Sequence, residues 1–234
     1  MGDALIRRLI RDVSSVLILS GLLLVLDAGV TLVWQEPVTA AIGLVLRNEV
    51  NQHYLSYRTA PLSSNEVEAL SGIRPIGQRI AYLARSERRR IKTGDAIGTI
   101  DMPRIGNTYN IVQGTDTHSL EQGPGHYPST ALPGMGQTMA VAGHRTTYLA
   151  PFRYLNELVH GDDVIVTMPY GKFTYVVQYQ RVVQPTEVSV TDDVGYDRLV
   201  LSACNPLYRA AQRIVVFARL KSVQPLSVAR AASA

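Results

Sequence analysis

An apolar run near the N-terminus limits what this chain can fold into more than any other feature of its sequence. Residues 16–33 carry a single charged side chain, Asp27. As a helix they span roughly 27 Å at 1.5 Å per residue, which is close to the thickness of the hydrocarbon core of a bilayer. The run therefore predicts a membrane-spanning helix, which we place at residues 13–34.

The charges that flank this run predict its orientation. An arginine cluster (Arg7, Arg8 and Arg11) precedes it, and Trp34 follows it. Positive charge is retained on the cytoplasmic side of a membrane, and tryptophan favours the membrane–water interface. We therefore expect a cytoplasmic tail over residues 1–12 and a single-pass membrane protein whose remaining residues are extracellular.

Two features of this segment raise alternatives. A carboxylate such as Asp27 is costly in lipid, but it lies about two turns before Trp34, where snorkelling or protonation relieves the cost. Val38-Thr-Ala40 has the small residues at the spacing that a signal peptidase requires, so a cleaved signal peptide is the rival interpretation. The length of the apolar run and the sequence of residues 34–37 favour an uncleaved anchor.

Composition and charge exclude several functions. The 234 residues are 46% hydrophobic and 18% charged, which is typical of a globular protein. Cys204 is the only cysteine, which rules out an internal disulfide and a cysteine-based zinc site within one chain. The net charge of +4 is too small to indicate nucleic-acid binding. Asp162-Asp163 and Asp192-Asp193 are typical of turns rather than of a calcium site. We predict neither a metal nor a cofactor.

Residues 35–92 read as a partly helical stalk. The apolar spacing over 38–56 predicts one helix, with Pro37 near its start, and residues 64–70 predict a second, short one. The basic run 85–92 reads as a solvated face of the linker, or alternatively as a patch that faces anionic lipid or wall polymer.

After Lys92 the pattern changes to short strand-like runs separated by glycine and proline. These runs cover residues 96–100, 109–112, 138–142, 163–168, 172–183, 199–202 and 214–220. The helical signal is limited to 117–122 and to a stripe within 151–158. Many short strands and few helices favour a mainly β fold, a closed or nearly closed β-barrel over residues 93–222, with a tail at 223–234.

Three polar side chains lie at the ends of these runs. His144 follows the run that begins at Thr138, Cys204 stands just before Asn205-Pro206, and Arg213 opens the last run. A thiol, an imidazole and a guanidinium are the groups needed for acyl transfer through a thioester. We predict Cys204 as the nucleophile and His144 as the proton-transfer group. Arg213, which stays protonated, is predicted to donate to the oxyanion.

The order and context of these residues resemble those of the sortases, the membrane-anchored cysteine transpeptidases of Gram-positive surfaces. The strings 143–152 and 212–219 are most similar to the actinobacterial class E sortases. The resemblance covers residues 93–222 and the anchor, and it implies a sortase-type β-barrel. It also implies cleavage of the Thr–Gly bond of an LPXTG or LAXTG sorting signal, with transfer of the acyl group to a cell-wall amine. The implied partners are surface proteins that bear this signal, a wall precursor and the membrane.

The sequence departs from the sortase pattern beside the nucleophile. Sortases usually carry threonine four residues and one residue before the cysteine, where this chain has Val200 and Ala203. The main-chain N–H of Ala203 remains available to substrate, while a threonine hydroxyl does not. In the class E resemblance the loop that holds His126 and Tyr127 lies near the peptide groove, so Tyr127 is a candidate for selecting the second residue of the motif. A turn aromatic packed on the barrel is the competing interpretation.

Other functions share the same residues. A membrane-tethered cysteine peptidase that uses water as acceptor needs the same three groups, and a degenerate sortase-like module that binds without turnover draws support from Val200 and Ala203. An L,D-transpeptidase is less compatible, because no Ser/Thr-His-Gly-Cys string occurs. Arg219 lies on the same predicted strand as Arg213 with the same face parity, and it is the rival for the oxyanion role.

Overall fold

The computed structural model of the protein describes residues 2–33, 36–58 and 62–226. Its α-helices are α1 (Gly2–Val33), α2 (Pro37–Arg58), α3 (Ser64–Ser71), α4 (Ile76–Arg90) and α5 (Thr117–Gln122). Its strands are β1 (Ala96–Met102), β2 (Asn107–Gln113), β3 (Gly125–His126), β4 (Thr138–Ala142), β5 (Asp163–Met168), β6 (Gly171–Val183), β7 (Arg198–Asn205) and β8 (Gln212–Pro225). Short 3₁₀ turns cover 103–105, 155–157 and 188–191. Trp34 and residues 227–234 of the predicted tail lie outside the described residues.

The eight strands close into a barrel in the order β1-β2-β3-β4-β7-β8-β6-β5. The pairs β2–β3 and β4–β7 are parallel and the other pairs are antiparallel. Because β5 returns to pair with β1, the sheet has no free edge strand. The prediction of a mainly β fold with a closed barrel is confirmed.

Strand alternation divides β7 and β8 between the barrel interior and its outer face. Leu199, Leu201 and Ala203 of β7 point inward with Ile214 and Val216 of β8, and all five join the main core. A second cluster lies on the outer face and is covered by the segment between β6 and β7. Its members are Ala140, Val183, Val190, Val200, Val215 and Phe217. Strand β7 is therefore apolar on both faces from Leu199 to Leu201, and its outer face is polar at Ser202 and Cys204.

The structure differs from the predicted stalk over residues 62–91. Leu70 of α3 and Ile80, Leu83 and Ala84 of α4 are at most 5% exposed and belong to the same core as the barrel strands. The sequence predicted the short helix over 64–70, but it predicted neither α4 nor the core against which both helices pack. Residues that read as a spacer thus form part of the barrel domain.

The basic run at 85–92 lies mostly on the last turns of α4 rather than on a free linker. Ser86 and Glu87 within it are buried, and the Ser86 hydroxyl donates to Glu66 of α3 at 2.7 Å. Arg90 forms ion pairs with Glu66 and Glu87, at 3.3 and 2.9 Å. Ser63 caps α3 through a capping box with Glu66, so one buried carboxylate joins the two helices.

Helix α2 lies against the barrel, beside β1 and β2. Val50 and Tyr54 pack with the start of β1 and the end of β2, and Arg47 lies over the ring of Tyr109. The Arg47 guanidinium also donates to the carbonyl of Thr108 at 3.0 Å. The predicted helix over 38–56 is present, and its buried face attaches it to the barrel.

Helix α1 contains a candidate membrane span. Ile6–Leu32 has a mean hydropathy of 2.2 over its most apolar stretch, and none of that stretch is buried against the rest of the protein. Length and composition are sufficient to cross a bilayer. Three residues separate the end of α1 from the start of α2.

Candidate active site

The candidate site lies on the outer face of the barrel, where β7 ends. Cys204 of β7 is paired directly with Arg213 of β8, so the two side chains leave the sheet side by side on the same face. Two pairs earlier, on the same face, Ser202 lies between Ala142 of β4 and Val215 of β8. The end of the parallel β4–β7 pair and the start of β8 thus bring a thiol and a guanidinium together.

His144 reaches this site from the turn that follows β4. The N–H of Gly143 donates to the carbonyl of Ser202 at 3.0 Å, which extends the β4–β7 ladder up to His144. A Cβ on Gly143 would lie 2.6 Å from the ring of Phe152, so only glycine allows this ring to pack here. The carbonyl of His144 in turn accepts from the N–H of Phe152 at 2.9 Å.

Two adjoining cavities of about 220 and 210 Å³ open on this face. The first is lined by Thr115, Leu120, Tyr127, Ala142, Gly143, His144, Ser202, Ala203, Cys204 and Arg213. The second extends below the β6–β7 segment, where apolar side chains such as Val188, Val190 and Val215 line it together with polar ones such as Gln184 and Glu187. Tyr127, Ser202 and Arg213 line both, so the two cavities form one groove with the thiol near one end.

All five residues predicted for the site line the first cavity, and their roles stay predictions. Ala203 is 3% exposed with its methyl in the core, so only its main chain is available to a substrate. The hydroxyls of Tyr127 and Ser202 are 3.0 Å apart. Strand alternation places Ser202 on the opposite face of β7 from Ala203. The same alternation puts it beside Cys204.

The two arginines of β8 have different surroundings. Arg213 lines both cavities, and its Nη1 donates to the carbonyls of Ala210 and Gln212 at 3.0 and 2.9 Å. Arg219 is exposed at the opposite end of the β7–β8 pairing, where its guanidinium lies 4.7 Å from the centre of the Tyr196 ring.

A tyrosine and a glutamate surround His144. The rings of His144 and Tyr148 are 5.6 Å apart and tilted by 36°, and the Tyr148 hydroxyl donates to Glu121 of α5 at 2.9 Å. Burial lowers the pKa of His144, and the negative charge of Glu121 partly opposes that effect. Sequence reasoning did not identify Tyr148 or Glu121, because neither belongs to a recognisable motif.

The loop after His144 has an unusual backbone that α2 supports. Tyr148, Leu149 and Ala150 have φ of 49°, 64° and 43°, a region that residues other than glycine seldom adopt and that persists only where the surroundings hold it. Gly43 of α2 faces this loop, and a Cβ there would lie 3.0 Å from the Leu149 side chain and 3.2 Å from the Tyr148 main chain. The Tyr148 N–H also donates to the Thr39 hydroxyl at 3.3 Å.

Arg145 lies within the string 143–152, but the sequence assigned it no role. Its guanidinium is buried and donates to the carbonyl of Cys204 and to the side chain of Asn205, both at 3.2 Å. It also donates to Asn156 at 2.7 Å and to the carbonyl of Arg153 at 3.3 Å. All four acceptors are neutral. Arg145 therefore ties the nucleophile strand to the histidine turn and adds a buried positive charge beside the site.

His126 is a structural residue. It is 1% exposed, and its ring nitrogens lie 2.7 Å from the Gln113 amide oxygen and 3.1 Å from the carbonyl of Ala131. Burial lowers its pKa to about 4, so the ring is neutral at physiological pH. Its neighbour Tyr127 is the residue of this pair that reaches the groove.

Residues 100–221, just over half of the chain, match the family described as the Sortase domain. This chain belongs to the sortase family. The matched range contains all the strands except β8's last residues and the start of β1, and it includes His144, Cys204 and Arg213. The family assignment made from the sequence is confirmed.

Several sortases share this similarity. Sortase D of Bacillus subtilis (strain 168) is 32% identical over 132 residues, which is 55% of this chain and 65% of that protein. The structure of sortase E from Streptomyces avermitilis is 36% identical with a TM-score of 0.53, over 58% of this chain and 93% of that one. A Clostridium perfringens sortase D5 transpeptidase is 25% identical with a TM-score of 0.54, over 63% and 99%.

These similarities support membership of the sortase family more firmly than membership of any one sortase class. Sortases named D and E both match, so similarity to class E is one of several relationships. The match also spans less than two thirds of the length of the Bacillus subtilis sortase D.

Proposed function

We propose that this protein is a membrane-anchored cysteine transpeptidase that cuts a sorting signal between threonine and glycine and joins the threonine to a cell-wall amine. The observation that supports the proposal most is the direct pairing of Cys204 with Arg213, beside His144, at one end of a groove in a chain of the sortase family. The Clostridium perfringens relative is named a transpeptidase.

The proposed reaction proceeds through a thioester. The Cys204 thiolate attacks the threonine carbonyl carbon, and the oxyanion that forms accepts hydrogen bonds from Arg213. The C–N bond then breaks, and the His144 imidazolium gives its proton to the departing glycine amine. Burial lowers the pKa of His144, which makes the imidazolium a readier proton donor.

In the second half, an amine attacks the thioester. Neutral His144 takes the proton from the attacking nitrogen, an amide bond forms, and the Cys204 thiolate leaves. In a membrane-tethered peptidase, water replaces the amine in this step and the product is a free carboxylate. The catalytic groups are the same, so the acceptor distinguishes the two reactions.

The groove supports binding of an extended peptide. The exposed lining of its second cavity is mainly apolar, and the cavity is open to solvent at the β6–β7 segment, where Val188 is 74% exposed. We assign the leucine of an LPXTG or LAXTG signal to this apolar part and the threonine to the part next to Cys204. Tyr127, whose hydroxyl is held by Ser202, lies between them and is proposed to contact the second residue of the signal.

We further propose the cellular arrangement. Residues 1–12 are the cytoplasmic tail, 13–34 the anchor and 93–222 the catalytic barrel on the extracellular side, followed by a tail at 223–234. Residues 35–92 lie between the anchor and the strands, and α3 and α4 within them pack against the barrel core. The length and hydropathy of Ile6–Leu32 support the anchor, and the preceding arginine cluster supports the orientation.

A fluorogenic LAXTG peptide tests the function with the full chain in detergent micelles. We expect cleavage by the wild type, a ligated product when triglycine is added, and loss of both in Cys204→Ala. Hydrolysis of the peptide at the same rate with and without triglycine, with no ligated product, identifies a peptidase instead. Binding of the peptide by the wild type without cleavage identifies a non-catalytic module.

A further inference from the structure

The first half of α2 is apolar on two opposite sides. Ala40 and Gly43 face the barrel domain and are buried. On the other side, Val38, Ile42 and Val45 follow one another at helical spacing and are 62%, 46% and 62% exposed. We refer to these three residues as the outer stripe. Water is an unfavourable neighbour for such a stripe, and the barrel does not cover it.

The face of α2 that carries the outer stripe becomes polar with distance from α1. Continued along the same face of α2, the next positions are Glu49, Gln52 and Ser56, which are exposed. The apolar part is about 10 Å long at 1.5 Å per residue, similar to the depth to which interfacial helices bury their apolar face. Increasing distance from a membrane accounts for a change from apolar to polar residues along the helix axis.

Two further contacts bring the barrel to the end of the candidate span. The Tyr208 hydroxyl lies 2.6 and 3.0 Å from the carbonyl oxygens of Thr31 and Leu32 in the last turn of α1. The N–H of Glu36, just before α2, donates to the carbonyl of Thr146 at 3.3 Å. The loop after Cys204 and the loop after His144 therefore both lie next to the place where α1 ends.

We propose that the outer stripe of α2 lies in the headgroup region of the membrane and fastens the barrel to the bilayer surface. The proposal rests on the anchor described under the proposed function. Because α2 also supports the loop that follows His144, this arrangement holds the active site at the level of lipid headgroups. An amine carried by a lipid-linked precursor is then presented at the height of the thioester. The outer stripe contains no charged residue, so its contact with lipid is insensitive to salt.

Fluorescence depth measurement tests the position of the stripe, and the single native cysteine makes it direct. In a Cys204→Ala background, Ile42→Cys and Gln52→Cys are each labelled with an NBD fluorophore in the full chain and reconstituted into phosphatidylcholine vesicles. We expect the label at 42 to be quenched by doxyl lipid and the label at 52 by aqueous iodide. Equal iodide quenching at both positions overturns the proposal. Protection of 42 from both quenchers that depends on protein density overturns it as well, because a second copy then covers the stripe.

A triple variant of the outer stripe tests whether its contact with lipid affects ligation. Val38→Ser with Ile42→Ser and Val45→Ser removes the apolar side chains without touching the buried face of α2, and Glu49→Ser is the matched control farther along the helix. We expect the triple variant to cleave soluble peptide at the wild-type rate but to ligate a lipid-linked amine in the same vesicle severalfold more slowly. Unchanged ligation overturns the proposal. Loss of peptide cleavage in the wild type is a failure of the proposed function, whereas the depth measurement needs no catalysis.

Discussion

Replacement of Arg213 by alanine tests the assignment of the oxyanion donor. Cys204 and Arg213 are directly opposite on adjacent antiparallel strands, so their Cα atoms are about 4.5–5.5 Å apart and their side chains share one face. A guanidinium has five N–H donors, and only Nη1 of Arg213 is used by main-chain acceptors. Loss of one oxyanion donor costs about 10²–10³ in kcat, or roughly 3–4 kcal/mol, and we expect a loss of that size.

Arg219 provides the matched control on the same strand. Six residues at about 3.4 Å each place it about 20 Å farther along β8, which is more than two Debye lengths at physiological ionic strength. Its guanidinium contacts the ring of Tyr196 and lines neither cavity. We therefore expect Arg219→Ala to retain nearly the full kcat, with only a small effect on stability.

Peptide cleavage and thermal unfolding, measured side by side, separate catalysis from folding. Arg213→Ala loses two partly exposed main-chain hydrogen bonds, worth about 1 kcal/mol each, which corresponds to a few degrees in Tm. Arg213→Lys should restore part of kcat, because an ammonium lacks the planar fork. An inactive Arg219→Ala beside an active Arg213→Ala would refute the reasoning. An Arg213→Ala variant that does not fold would show a structural role.

Three further outcomes follow from the groups around the site. Arg145→Met should lower the free energy of unfolding by roughly 2–3 kcal/mol, because it leaves buried hydrogen-bond acceptors without a donor. It should also slow alkylation of the Cys204 thiol by iodoacetamide at pH 7, because it removes a nearby cation. Arg198 is an equally buried arginine at the other end of β7, and Arg198→Met should leave the alkylation rate unchanged. Glu121→Gln removes the negative charge that favours protonation of the His144 imidazole, so the limb of the kcat/KM–pH profile that reports His144 should move to lower pH. A limb that does not move contradicts an electrostatic effect of Glu121 on His144. Finally, the pKa of His126 falls from 6.5 to about 4 on folding, so between these values the unfolded chain binds one proton more and stability falls on acidification, by about 3 kcal/mol in all; urea unfolding should show this slope in the wild type and a flatter one in His126→Gln.

The strands and the three catalytic candidates were predictable because each depends on a local pattern. The strand-like run 199–202 predicts β7, and the alternation of side chains along this strand places Ser202 and Ala203 on opposite faces. The helix at 117–122 is also present as predicted, and the predicted strands at 163–168 and 172–183 pair with each other. Cys204, His144 and Arg213 were proposed because Cys204 is the only cysteine of the chain and the three residues stand at the ends of strand-like runs in the order of a family. Their catalytic roles stay predictions.

The residues that support the site were not predictable in this way. Arg145, Tyr148 and Glu121 act through contacts with residues that are distant in sequence, such as the 59-residue separation between Arg145 and Cys204. Their types are ordinary for an exposed loop or helix. The packing of α3 and α4 against the barrel was not predicted for the same reason, because an apolar stripe on a helix does not show which surface will cover it.

The sequence by itself determined the elements of this protein: an apolar helix long enough to span a membrane, a series of short strands, and a thiol, an imidazole and a guanidinium at strand ends. Only the tertiary structure decided which elements meet. Closure of the barrel pairs β7 with both β4 and β8, which joins side chains that are up to 69 residues apart between His144 and Arg213. Periodicity is a property of neighbouring residues and encodes burial, whereas register and packing depend on long-range complementarity between surfaces that the chain brings together only on folding.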